Sequence, residues 1–158
     1  MTVIVPASAG DLFVMAAANP ALRLTASRRV YGHRMPLPIV PVGAQIACSE
    51  AYSLFEAPGA SAPFAIVGGV MLPTGYLETW FLVRPGGLAP SLLLALVRFA
   101  RRLLAERPPA ICFVRPENDQ GARLAKLLGF ALSGDGIEDH QQWRRGDVGS
   151  DQNDRQAL

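Results

Sequence analysis

Glu78 is a carboxylate in the run YLETWFLV, residues 76–83, whose other members are almost all apolar or aromatic. Such a group can take up a proton from a substrate held against it, whereas a glutamate pointing outward from a strand is merely solvated. Tyr76 and His140 are further proton donors, with no spacing that ties either to Glu78. Arg98, Arg101 and Arg102 recur at helical spacing and could meet phosphates, although such a row is ordinarily a solvated helix face. Trp80 and Trp143 read as packing residues. Cys48 and Cys112 stand far apart, and His33 and His140 lack a carboxylate or thiolate companion at ligand spacing, so neither a metal site nor a disulfide framework is expected.

These residues must be held by a definite order of elements. Thr2 to Val5 reads as a short opening strand. Ser8 with Asp11 three positions on has the spacing of a capping box, predicting a helix from about Ala9 to Asn19 that Pro20 closes. Ala21 to Arg29 suits a second short helix. Tyr31 to Gly43 carries three prolines and two glycines and is expected to be an exposed loop that shapes a substrate site. Ala47 to Glu56 and Pro63 to Leu72 flank the turn signal EAPGASAP and read as an antiparallel hairpin, which Tyr76 to Val83 extends into a meander.

Beyond Val83 the pattern changes. RPGGLAP is a glycine-rich turn, Pro90 suits a first helical position, and Ser91 to Glu106 has helical periodicity with Arg98, Arg101, Arg102 and Ala105 on one face. Pro108 and Pro109 end that helix. Ala110 to Val114 is short and wholly apolar, as a strand buried on both faces requires, and strand, helix, buried strand implies a right-handed parallel crossover. Asn118 caps a further helix over Asp119 to Leu128, with Leu124, Ala125, Leu127 and Leu128 inward and Arg123 and Lys126 outward; Gly129 terminates it. Phe130 to Leu132 and His140 to Arg145 supply two last strands. From Gly146 the composition is polar and aperiodic, which predicts a disordered tail over 146–158 after a single domain over 1–145.

Composition narrows the function classes. At 158 residues, half of them apolar, the chain can bury a core without disulfides or metals. The formal charge is +2, and Lys126 is the only lysine among fifteen basic residues, too small a basic excess for a general nucleic-acid binder. The apolar N-terminus lacks a basic n-region and is interrupted by Pro6 and Asp11, and Leu92 to Val97 falls far short of the ~20 residues that cross a bilayer. A cytoplasmic protein with no membrane partner is expected.

The segment ENDQGARLAKLLGF, residues 117–130, resembles the pattern of the GCN5-related N-acetyltransferases (GNAT), in which an Asn after the fifth strand opens a helix ending in Leu-Gly-Phe. Asn118, Ala122, Leu124, Leu128, Gly129 and Phe130 match it. Taken alone, the segment is also a capped amphipathic helix with a glycine stop. The resemblance covers about residues 2–145 and implies an α/β fold, a central mixed sheet of six to seven strands flanked by about four helices.

It further implies that the turn after the family's fourth strand binds the pyrophosphate of acetyl-CoA, because backbone N–H groups at a helix N-terminus point at the anion and glycines let the backbone approach it. Arg84, Gly87 and Ala89 fit the family spacing of Arg or Gln, two residues, Gly, one residue, Gly or Ala. On a second alignment Val83, Arg84 and Pro85 precede the motif, the loop is about four residues shorter than usual, and the cradle is truncated. The cofactor residues implied are Leu82, Val83, Arg84, Gly86, Gly87, Leu88, Ala89, Asn118 and Arg123. Glu78 stands where several family members keep a general base. The Tyr that commonly protonates the departing thiolate is replaced by Ala125.

Two functions follow. One is an acetyl-CoA-dependent N-acyltransferase acting on an amine of a small molecule or protein, in which proximity supplies much of the acceleration. The other is a catalytically silent protein of the same fold, a structural or interaction component of phage or phage-derived type. The acceptor and any homo-oligomer or protein partner are left open by the sequence.

Overall fold

Ser8 and Asp11 start the first helix as their spacing requires: the Asp11 N–H donates to Ser8 Oγ at 3.2 Å and the Ser8 N–H to Asp11 Oδ2 at 2.8 Å, a reciprocal capping box. The computed structural model describes residues 1–18, 27–30, 33–36, 46, 49–134 and 140–146, with 27–30 and 33–36 described as backbone. Strands β1 (Val3–Pro6), β4 (Glu50–Phe55), β5 (Ala65–Met71), β6 (Leu77–Val83), β7 (Ala110–Val114), β8 (Ala131–Leu132) and β9 (Gln141–Arg145) form one seven-stranded sheet in the order β1-β4-β5-β6-β7-β9-β8. Three helices accompany it among the described residues: α1 (Ala9–Ala18), α2 (Pro90–Ala105) and α3 (Asp119–Leu127).

Two expectations are corrected. Of the second helix proposed for residues 21–29, Ser27–Val30 is strand β2, and 21–26 lie outside the described residues. Within the expected loop over 31–43, His33–Pro36 is strand β3, paired antiparallel with β2 from Val30↔His33 to Ser27↔Pro36. Pro36 is the last residue of β3, where a proline bounds a strand instead of breaking it. Of the tail expected over 146–158, residues 147–158 lie outside the described residues.

Contacts divide the chain into two units. The first comprises Met1–Gly69 and Phe81–Leu96. In it β1 pairs with β4, and β4 with β5, both antiparallel. A row of backbone bonds crosses three strands: the Phe64 N–H donates to Leu54 O at 2.8 Å, and the Arg84 N–H to Phe64 O at 3.0 Å. Leu12, Met15 and Ala16 of α1 are buried, as are Leu54, Phe64 and Ile66. Ser53, wholly buried, donates its hydroxyl to Asp11 Oδ2 at 2.9 Å, so one carboxylate both caps α1 and satisfies a core hydroxyl.

The second unit comprises Val70–Trp80 and Val97–Leu158. Here β6 and β7 run parallel, Leu77 opposite Ala110 and Glu78 opposite Ile111, as the crossover reading requires. β7 is buried except at Phe113 and pairs antiparallel with β9. Thr79, buried within β6, donates to Ile111 O at 3.2 Å. Cys112, opposite Trp143, is enclosed so that burial pushes its thiol up to about 12. Two arginines close helix ends: Arg145 donates from an Nη to Leu104 O at 2.8 Å, and Arg101 from Nε to Leu127 O at 2.8 Å. Arg101 is therefore more than a solvated charge. Leu127 is 43% exposed, against the inward reading, because it lies about 200° around the helix from buried Ala125.

Candidate functional site

Six residues, 84–89, join the end of β6 to the start of α2. Gly86 and Gly87 take φ of +90° and +82°, conformations that cost other residues roughly 1–2 kcal/mol, and nothing lies within 4 Å of where a Cβ would stand on either. Ala89 acts as the helix cap: its carbonyl accepts from Leu92 N–H at 2.9 Å and Leu93 N–H at 3.0 Å. Pro85 and Gly86 form the middle of a hydrogen-bonded turn that directs the Gly87 N–H to Arg84 O, and among the described residues no backbone carbonyl receives the N–H groups of Gly86, Leu88 or Ala89. Pro90 supplies none.

The turn therefore presents several N–H groups, without covering side chains at the glycines, before a helix of sixteen residues. Its backbone donors and helix dipole suit a phosphate-bearing group. Arg84, at its foot, forms an ion pair with Glu56, the residue that follows β4. Sequence reasoning had treated Glu56 only as the edge of a turn. Its signal was the register: Leu54, Phe64 and Arg84 lie in one row, and Glu56 is two residues beyond Leu54. Leu82 and Val83, half-buried, end β6 just before the turn.

In the second unit Glu78 is half-buried on β6. Strand alternation places it on the sheet face shared by Tyr76, Ile111 and Arg144, opposite the face of Leu77 and Thr79. The Arg144 guanidinium lies 6.0 Å from the Tyr76 ring centroid, so that face carries both charges and an aromatic ring.

Asn118 is engaged in its own helix. Its Oδ1 accepts from the Gly121 N–H at 2.9 Å, its N–H donates to Arg115 O at 3.0 Å, and its carbonyl accepts from the Ala122 N–H at 3.0 Å. The far end of α3 is closed as tightly. Gly129, at φ +87°, donates to Lys126 O, and Phe130 to Ala125 O, both at 3.0 Å, which is a Schellman stop. Ala125, where the family usually has its Tyr, is 3% exposed, as is Phe130. Arg123 is exposed on α3. The described residues contain no cluster of His, Cys, Asp or Glu able to hold a metal ion.

A mixed seven-stranded sheet, with its antiparallel meander, parallel crossover over a long helix and second capped helix, is the fold of the GCN5-related N-acetyltransferases. The ribosomal-protein-S5-alanine acetyltransferase from Vibrio fischeri superposes with a TM-score of 0.62 at 10% identity, over 93% of each chain. A GNAT-family acetyltransferase from Streptococcus pneumoniae gives 0.59 at 14% identity, over 92% of this chain and 98% of that one. Mutant forms of the spermidine/spermine N-acetyltransferase from Vibrio cholerae give 0.60 at 12% identity, over 90% and 91%. No protein-family model and no curated protein matches the chain in sequence. At these identities the likeness is one of fold.

Proposed function

We propose that this chain is an acetyl-CoA-dependent N-acyltransferase that acetylates an amine of a small molecule or protein. The observation that carries the reading is the turn over 84–89, with N–H groups that the described backbone leaves unused and glycines that leave the approach clear. The pyrophosphate of coenzyme A would be held by the N–H groups of Gly86, Leu88 and Ala89, with Gly87 leaving the approach clear, Leu82, Val83 and Arg84 flanking them, and Asn118 and Arg123 as further contacts. Bound there, the thioester supplies an activated acetyl group. Glu78 takes the proton that the acceptor amine loses on attack.

Ala125 offers no proton to a departing thiolate. Its absence need not silence the reaction: proton relay typically contributes ~10² to 10⁴-fold, so a slower transferase remains. That same residue motivates the second reading, a catalytically silent protein of this fold, since a buried methyl group stands where the family's usual acid would be.

Melting with and without acetyl-CoA separates the two. A ligand at 100 times its dissociation constant stabilises a fold by about 2.7 kcal/mol, a plain rise in Tm. No rise at millimolar acetyl-CoA sinks the transferase reading. A rise without acetylation of any amine in a panel that includes polyamines and N-terminal peptides favours the silent one.

A further inference from the structure

The ion pair at the foot of the turn bears on how the site is controlled. Arg84 stands two residues before Gly86, and its guanidinium holds the Glu56 carboxylate; the side chains are 37% and 43% exposed. Pairs this open to water are weak and readily exchanged. The Arg84 backbone is fixed separately, its N–H bonded to Phe64 O at 3.0 Å, so the side chain can change partner without loosening the strand. A phosphate oxygen pair offers a guanidinium the same bidentate geometry as a carboxylate and carries more charge.

We propose that Glu56 is an internal counter-anion for Arg84: it occupies the guanidinium when the turn is empty and is displaced when a pyrophosphate enters. The inference rests on the cofactor reading above and adds a residue to it. Glu56 thereby lowers affinity for the cofactor by competing for Arg84, and it keeps Arg84 from holding other small anions. Because both effects are electrostatic and exposed, they weaken as salt rises.

Calorimetric titration of acetyl-CoA into wild type, Glu56→Gln, Arg84→Ala and the double variant tests this. Glu56→Gln, which keeps the shape and removes the charge, is expected to bind roughly two- to five-fold tighter at low salt, as for exchange of an exposed pair. The gain should shrink in 0.5 M salt and be largely lost in the Arg84→Ala background. Binding by Glu56→Gln that is unchanged or weaker, while wild type binds, overturns the inference alone and makes Glu56 a brace for the turn. A gain of the same size without Arg84 also overturns it. If neither wild type nor any variant binds, the cofactor reading falls and this inference with it.

Discussion

The turn over 84–89 and the capped helix over 118–130 are the two stretches that carry the sequence resemblance, yet they handle their backbone groups differently. In the helix, Asn118 closes the first turn, while Gly129 and Phe130 close the last. Most of its terminal groups are thereby satisfied, the N–H groups of Asp119 and Gln120 excepted among the described residues. In the turn, the N–H groups of Gly86, Leu88 and Ala89 meet no described backbone acceptor, and the one charged side chain at its foot is held by a glutamate that water already reaches. A motif whose polar groups satisfy one another maintains the fold; one whose groups are left to water can exchange that water for a ligand.

That contrast is most sharply broken at Gly87. Gly87→Asp sets a carboxylate where nothing now lies within 4 Å, at a φ that Asp tolerates better than most residues. The rise in Tm with acetyl-CoA, about 2.7 kcal/mol at 100 times the dissociation constant, should vanish, while the melt without ligand falls by no more than the roughly 1–2 kcal/mol that the φ costs. Full retention of affinity would show that the turn is not the phosphate cradle.

Gly129 is the opposite test. Gly129→Ala forces a side chain into φ +87°, and about 1–2 kcal/mol of stability should be lost in denaturant melts, with the acetyl-CoA shift unchanged. Asn118→Ala removes the acceptor of the Gly121 N–H and should cost about 1 kcal/mol, most of which Asn118→Asp restores. Asn118 was assigned to the cofactor from the family pattern. If the alanine variant also loses the ligand-induced shift, that assignment stands beside the cap; if only the melt moves, Asn118 is a cap and the contrast is complete.

How far the sequence made this legible follows from the range of the forces involved. The capping box at Ser8 and Asp11, the stop at Gly129 and the buried strand Ala110–Val114 are written in neighbouring residues, and each emerged as read. The β2-β3 pairing is not legible in composition, because a proline count does not tell on which side of a strand each proline falls. The inward placing of Leu127 failed because four apolar residues were assigned to a face that helical geometry gives to three. The Glu56–Arg84 pair joins residues 28 apart in the chain, and only the register across β4, β5 and β6 brings them together. Glu78 could be named as a carboxylate in an apolar strand, but its face was set by pairing with β7, which no local pattern shows.

The smallest effect concerns the closed region's own tightness. Burial pushes the Cys112 thiol up to about 12, so between pH 5 and 7 it is protonated in the folded chain and almost wholly protonated in the unfolded one, whose thiol titrates at ~8.5. It therefore adds no pH dependence to stability in that range. Its stabilising contribution is present in full below the unfolded value and is lost as pH rises from there toward about 12, because only the unfolded chain releases the proton. At pH 8, in a Cys48→Ser background, alkylation of Cys112 by iodoacetamide should proceed only through opening of the strands around β7. Gly129→Ala should then speed it by about tenfold for each 1.4 kcal/mol of stability lost. Rapid labelling of the folded chain, indifferent to that substitution, would mean that the second unit is not closed around Cys112.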